Sequence, residues 1–444
     1  MRSAELAIVA AVLTGCSTRG VVLERRTGTP IPAPGSCGLA QPAFCDTFDA
    51  PSPRSRGGEI DSAAWSMTRW GHVTTEFFNR PTADGADFGS TVPRPTLCGQ
   101  PFGKLDAPDD VRVCEGRLQE VLADWGSGVN AMRPRQPIDF AGRTATIVFD
   151  VDAKKNDGYD GHGWWVEAWI TDEPVPVVHQ ADSTIGSLPR NGVGVALYPS
   201  SCFADGVTDV GRFFVVRDFV AQEVAPSDAT CVRASDTLLN HFELRLSTTS
   251  LEVWGTDTNP SGPLRLLAST TLSLPFTRGY LTLEHTQREA TKAGASATQT
   301  YRWDNVGFDG PLLSRPRAYE IADELLPVEQ NLGSGPVVVA RSLGYGIASA
   351  RTFTFDGVDL SKATAARFDF GTMGVGGQSL QYRFNGGAFH TYVVPKVLTE
   401  SLYRAASEVV PLSELTPGRN TVEVVSVDLD VPTIGNMDLT IEIP

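Results

Sequence analysis

Between residues 144 and 308 the chain repeats one pattern: a short run rich in Val, Ile, Thr and aromatic residues, then a cluster of Gly, Pro, Asp or Ser. Runs at 144–151, 163–171, 193–198, 212–224, 242–247, 251–254, 264–274, 280–285 and 301–308 read as strands. β-branched and aromatic side chains suit a pleated surface better than a helix turn. With 43 Gly and 30 Pro supplying turns, such a chain buries its apolar faces by stacking antiparallel sheets. The expected fold class is therefore all-β, an antiparallel two-sheet sandwich.

A smaller β-sandwich is expected over residues 336–444. Strand-like runs resume there at 337–340, 352–355, 366–370, 380–384, 389–394, 408–411, 421–427 and 439–443. Asn385-Gly386-Gly387, set between two alternating runs, marks a hairpin, because Asn and Gly accept the left-handed backbone of a tight turn. All eight tryptophans precede residue 304, so the two units differ in composition. Residues 312–335 read as a linker with one short helical turn. Residues 50–140 read as irregular apart from a strand at 117–122.

The apolar run at 6–13 has the length of a signal-peptide core and is too short to span a bilayer as a helix. Leu13-Thr14-Gly15-Cys16 resembles the lipobox of bacterial lipoproteins. That resemblance implies that residues 1–16 are a signal peptide, that Cys16 is lipidated, and that the chain is exported and held to the cell envelope or outer membrane by that lipid alone. A plain secretory signal with a chance cysteine is the competing reading. Residues 17–36, with their Gly and Pro, are expected to form a flexible tether. Cys37, Cys45, Cys98, Cys114, Cys202 and Cys231 follow, an even number that suits disulfides in an exported chain. Nearest-neighbour pairing, 37–45, 98–114 and 202–231, is the expected connectivity. A formal charge of −15 argues against a nucleic-acid surface, which needs clustered Lys and Arg. The chain is expected to be a monomer.

Three patches of the first unit carry a family likeness. Phe44-Cys45-Asp46-Thr47-Phe48-Asp49 is followed by Ile60-Asp61-Ser62-Ala63-Ala64-Trp65. Asn240-His241-Phe242-Glu243-Leu244-Arg245 precedes Leu251-Glu252-Val253-Trp254. Tyr280-Leu281-Thr282-Leu283-Glu284-His285 comes before Tyr301-Arg302-Trp303-Asp304-Asn305-Val306. Together they resemble the concanavalin A-like jelly roll of lectins, laminin-G modules and family 16 glycoside hydrolases. The resemblance implies a jelly roll over residues 37–311 and a glycan ligand. It also implies a structural Ca²⁺ held by Asp304, with Asp46 or Asp49 nearby.

The chemistry departs from the hydrolases in that likeness. Their retaining members carry E-x-D-x-x-E or E-x-D-x-E on one strand. The counterpart here is 163–173, where alternation puts Trp165, Glu167, Trp169 and Thr171 on one face. Trp169 and Thr171 stand where partner acids belong. Glu173 shares the parity but lies about 20 Å along the strand at ~3.3 Å per residue, whereas a retaining pair sits about 5–5.5 Å apart. The strand alone lacks the usual pair, and a partner acid from a neighbouring strand stays open. An acid between two indoles suits a glycan cleft, because indole faces stack on sugar rings and a carboxylate accepts from hydroxyls. The competing reading is that the indoles are core and Glu167 pairs with an arginine.

His162, between Gly161 and Gly163, is a candidate proton donor or sugar contact, or simply a loop residue. Glu284 and Arg288 are candidate contacts for a polar ligand, and His285 reads as a core histidine. No G-x-S-x-G elbow, P-loop or dinucleotide fingerprint is present. The leading expectation is a surface lipoprotein that binds extracellular or cell-wall polysaccharide through the jelly roll. In this reading the C-terminal sandwich is an accessory, carbohydrate-binding module. One alternative is a divergent glycoside hydrolase or polysaccharide lyase using Glu167 and His162. The other is an adhesive or structural surface protein without glycan activity.

Overall fold

The computed structural model describes residues 37–50, 61, 64–71, 96–97, 100–101, 110–122, 126–151, 164–174, 185–198, 209–224, 231–232, 239–256, 262–290, 299–321, 328–331, 336–339, 345–347, 349–398, 402–429 and 432–444. Among them the regular structure is strand apart from one 3-10 turn at Leu412–Glu414, and every strand pairing is antiparallel.

Two sheets form the first sandwich. One has eight strands, with Ala145–Val151 between Asn240–Leu246 and Gln299–Asp309. The other has nine and positions the candidate site. Its strands include β1 (Trp65–Gly71), β2 (Gly126–Pro134), β3 (Trp164–Thr171), β4 (Gly192–Tyr198), β5 (Asp209–Arg217) and β6 (Arg278–Ala290). Their spatial order is β5-β4-β3-β6-β2-β1. The core between the sheets takes alternate residues: Val166, Ala168 and Ile170 from β3, and Leu281 and Leu283 from β6. They meet Phe149, Phe242 and Trp303 of the opposite sheet. Alternation therefore turns Glu167 and Trp169 away from this core, onto the outward face of the nine-stranded sheet. β1 and β2 lie within a stretch expected to be irregular. The β2 sequence, Gly-Ser-Gly-Val-Asn-Ala-Met-Arg-Pro, has almost no strand signature. Neighbours on both sides, β1 and β6, impose its conformation.

The second sandwich packs a four-stranded sheet on a five-stranded one. The latter contains β7 (Ala365–Gly374), β8 (Leu402–Val409) and β9 (Thr433–Glu442). Phe368, Phe370, Tyr382, Phe384, Val422 and Leu439 fill its interior. Asn385 and Gly386 have φ of 49° and 73°, the left-handed pair expected of the hairpin between Ser379–Phe384 and His390–Val393. The expected linker needs correcting. Arg317–Ile321 is a strand that pairs with β9, so part of 312–335 belongs to the second sandwich.

The two sandwiches share an apolar cluster. Trp169, Ala196, Phe214 and Val216 of the outward face, with Ile185 and Leu188, join the residues of the second sandwich in one continuous core. Polar residues complete the junction. Asp438 of β9 lies 3.8 Å from the Arg135 guanidinium and accepts from Ser66 Oγ at 3.3 Å. Gln136 Nε2 donates to the Leu313 carbonyl at 2.7 Å.

Candidate functional site

The site is built by strand register. Glu167 of β3 stands directly opposite Glu284 of β6, so two carboxyls from neighbouring strands share one place on the outward face. The second acid thus comes from a neighbouring strand and not from 163–173 itself. The two belong to a row that crosses the sheet through Thr68, Ala131, Glu284, Glu167, Ala196 and Arg212. The next row along one direction holds Trp169, opposite Gly194 and Thr282.

The row along the other direction holds three aromatic positions, two of them separated by Val129 and Thr286. Trp70 is opposite Val129, Val129 opposite Thr286, and Thr286 opposite Trp165. Tyr198 comes one residue after Leu197, the partner of Val166, which brings it level with Trp165.

The carboxyl pair is sealed. Glu167 and Glu284 are both fully buried, as is Trp169. A strap, residues 185–188, runs over them. Glu167 Oε1 accepts from the Gly186 amide at 2.7 Å. Its Oε2 accepts from the Ser187 amide at 3.1 Å and from Trp169 Nε1 at 3.0 Å. Ser187 Oγ donates to Glu284 Oε1. Burial pushes the Glu167 carboxyl up to about 7, against the opposite pull of those hydrogen bonds. The Trp169 ring lies on Gly194, where a Cβ would stand 2.3 Å from it, and its centroid is 6.5 Å from that of Phe214.

Two expectations change as a result. Trp169 is not an open sugar platform, because the strap and the second sandwich enclose its ring. Glu167 is neither an exposed ligand contact nor the partner of an arginine: neutral donors from the strap and from Trp169 occupy both its oxygens. Trp165 and Arg288 lie on β3 and β6, and their side chains are outside those described. His162 and Cys16 fall outside the described residues. His285 faces the inter-sheet core, edge-on to Tyr301 with centroids 4.5 Å apart.

The opposite sheet carries the acids expected to hold calcium. Asp46 does not fit a ligand role: its Oδ2 accepts from Trp65 Nε1 at 2.7 Å and its Oδ1 from the Phe48 amide at 2.9 Å. Asp304 fits better. Its carboxyl is pushed up to about 6, chiefly by burial, with the negative charges of Asp150 and Asp49 adding to it. A cation would relieve that repulsion. Asp150 is already engaged by His241 Nδ1 at 2.6 Å and Asn305 Nδ2 at 2.7 Å. Among the described residues no three His, Cys, Asp or Glu side chains cluster at metal-binding spacing. Cys37 and Cys45 form the expected disulfide, with Cα atoms 5.8 Å apart. Cys98 and Cys202, and the side chains of Cys114 and Cys231, are outside the described set.

Several solved structures are similar to this chain. The VIP36 exoplasmic/lumenal domain, in a Ca²⁺/Man3GlcNAc-bound form, shares 14% identity over 46% of this chain and 83% of its own, with a TM-score of 0.34. LamAcat from Zobellia galactanivorans shares 12% over 62% and 100%, at 0.35. The carbohydrate-binding module CBM66 from Bacillus subtilis shares 14% over 44% and 86%, at 0.25. No protein-family model and no curated protein matches the chain. Strand order and register define the fold.

Sequence reasoning missed the strap residues Gly186 and Ser187, and the aromatic positions Trp70 and Tyr198. Trp70 and Tyr198 lie on strands 95 or fewer residues from Trp165 in sequence, and only the register aligns them with it.

Proposed function

We propose that the protein binds extracellular or cell-wall polysaccharide along the outward face of the nine-stranded sheet. The observation that supports this is the row of aromatic positions, Trp70, Trp165 and Tyr198, beside the Glu167–Glu284 row. Aromatic positions level with one another on a sheet suit sugar rings of one chain, and adjoining polar groups fix their orientation. The strap and the second sandwich then act as one wall of the groove. The rest of the proposal is export through residues 1–16 and lipid anchoring at Cys16.

Retention of purified protein on a glycan array, without release of reducing ends, is the expected result. Trp70→Ala and Trp165→Ala should each weaken retention about tenfold or more. No retention on any glycan would leave the adhesive reading in its place. Release of reducing ends, lost in Glu284→Gln, would assign the carboxyl pair a hydrolytic role instead.

A structural Ca²⁺ at Asp304 and Asp49 belongs to the same proposal. Millimolar Ca²⁺ should raise the melting temperature by a few degrees in the wild type and leave Asp304→Asn unmoved. An equal response in both proteins would remove Asp304 from the site.

A further inference from the structure

We infer that Arg133, Thr282 and Asp438 form a buried site for a structural water whose hydrogen bonds tie the two sandwiches together. Strand register assembles it. Ser66 of β1 stands opposite Arg133 of β2. Thr282 of β6 comes one residue before Leu283, the partner of Met132, which brings it level with Arg133. Asp438 of β9 meets this row from the second sandwich, accepting from Ser66 Oγ at 3.3 Å and lying 3.8 Å from the Arg135 guanidinium. Arg133, Thr282 and Asp438 are 6%, 0% and 4% exposed.

Polar atoms of all three residues are left over at this place. Among the described residues, none makes a hydrogen bond with Arg133 Nε or Nη1, with Thr282 Oγ1 or with Asp438 Oδ1. A buried donor or acceptor without a partner is costly, and four such atoms on three neighbouring residues point to one shared ligand.

Charge and valence choose that ligand. The Arg133 charge acts on both Asp369 and Asp438, and Arg135 brings a second guanidinium to Asp438. An anion would meet two buried carboxyls, and a cation two guanidiniums, so a neutral ligand fits. Asp369 already accepts from Ser407 Oγ and Thr440 Oγ1, so Asp438 Oδ1 is the acceptor still to be met. The site then offers two N–H donors, one carboxylate acceptor and one hydroxyl. A water molecule accepts two hydrogen bonds and donates two, which matches this set one for one. Arg133 and Thr282 belong to the first sandwich and Asp438 to the second, so the water bridges them. Trp169, opposite Thr282, begins the apolar part of the same junction. None of this depends on the polysaccharide assignment.

A high-resolution crystal structure of the full chain, grown with sodium bromide at about pH 8, tests the site. That pH keeps Asp438 ionised, above the value of about 6 to which burial pushes it. The expected result is one ordered peak within about 3.2 Å of Arg133 Nε and Nη1, Thr282 Oγ1 and Asp438 Oδ1, without anomalous signal. A bromide signal there would make it an anion site and overturn the proposal. So would the lack of any peak between these atoms. Magnetic relaxation dispersion of water oxygen, which counts waters held longer than the protein tumbles, gives the reading in solution. The wild type should hold one more such water than Arg133→Met, and equal counts would overturn the site. Should Arg133→Met fail to fold, Thr282→Val keeps the side-chain shape and removes one bond. Its water should then leave about five- to tenfold faster than in the wild type. An unchanged residence time would take Thr282 out of the site and the proposal with it.

Discussion

Trp169→Ala is expected to destabilise the protein by about 3–5 kcal/mol in urea unfolding. The ring has no exposed surface, rests on Gly194 and packs in the cluster shared by the two sandwiches. Truncation would leave a cavity of indole size between bodies that cannot collapse freely, and would remove the Nε1 donor from a buried Glu167 oxygen. Gly194→Ala attacks the same contact from below. A Cβ there meets the Trp169 ring well inside contact distance, so about 1–3 kcal/mol of overpacking is expected. Trp254→Ala is the control. That indole is half-buried on the other sheet, with Arg245 4.8 Å over its ring, and its loss should cost clearly less. A cost below about 1 kcal/mol at Trp169 would mean that the ring is not enclosed in solution, and would restore it as an open sugar platform.

Part of this was legible in the sequence. Alternation is local, so the placement of Trp165, Glu167 and Trp169 on one face could be read from eleven consecutive residues, and the disposition of Val166, Ala168 and Ile170 in the core agrees with it. What covers that face could not be read. The strap comes from residues about twenty positions later, and the second sandwich from beyond residue 316. A polar residue on an outward face looks the same in sequence whether water or a docked body lies above it. The pairing of Glu167 with Glu284 was hidden for a related reason: register between strands more than a hundred residues apart is set by the whole sheet. The hairpin at Asn385-Gly386 was readable because its cause is confined to two residues with left-handed backbones. β2 was not, because its strand conformation is imposed by its neighbours.

Asp438→Ala is expected to cost about 1–3 kcal/mol, because it deletes a buried carboxyl that accepts from Ser66 Oγ at 3.3 Å and lies 3.8 Å from the Arg135 guanidinium. The arrangement is demanding. Asp438 stands opposite Asp369 on β7, both are buried, and Arg133 of β2, with Arg135 just after it, supplies the positive charge that lets them share the space. Replacing both members of one ion pair by apolar residues removes desolvation along with attraction, so Arg135→Met with Asp438→Leu should recover much of the loss. The pH dependence gives a second, independent handle. Burial pushes the Asp438 carboxyl up to about 6 from 3.8, so its contribution is fully present below about 3.8 and fades as pH rises through about 6. The stability of wild type minus that of Asp438→Asn should therefore fall across that window, as read by urea unfolding at pH 4 and pH 8. Calorimetry should show one joint transition in the wild type and two in Asp438→Ala, because the sandwiches then melt apart. Two transitions already present in the wild type would mean that the junction is too weak to couple them. The enclosure of Trp169 would then have to come from the strap alone.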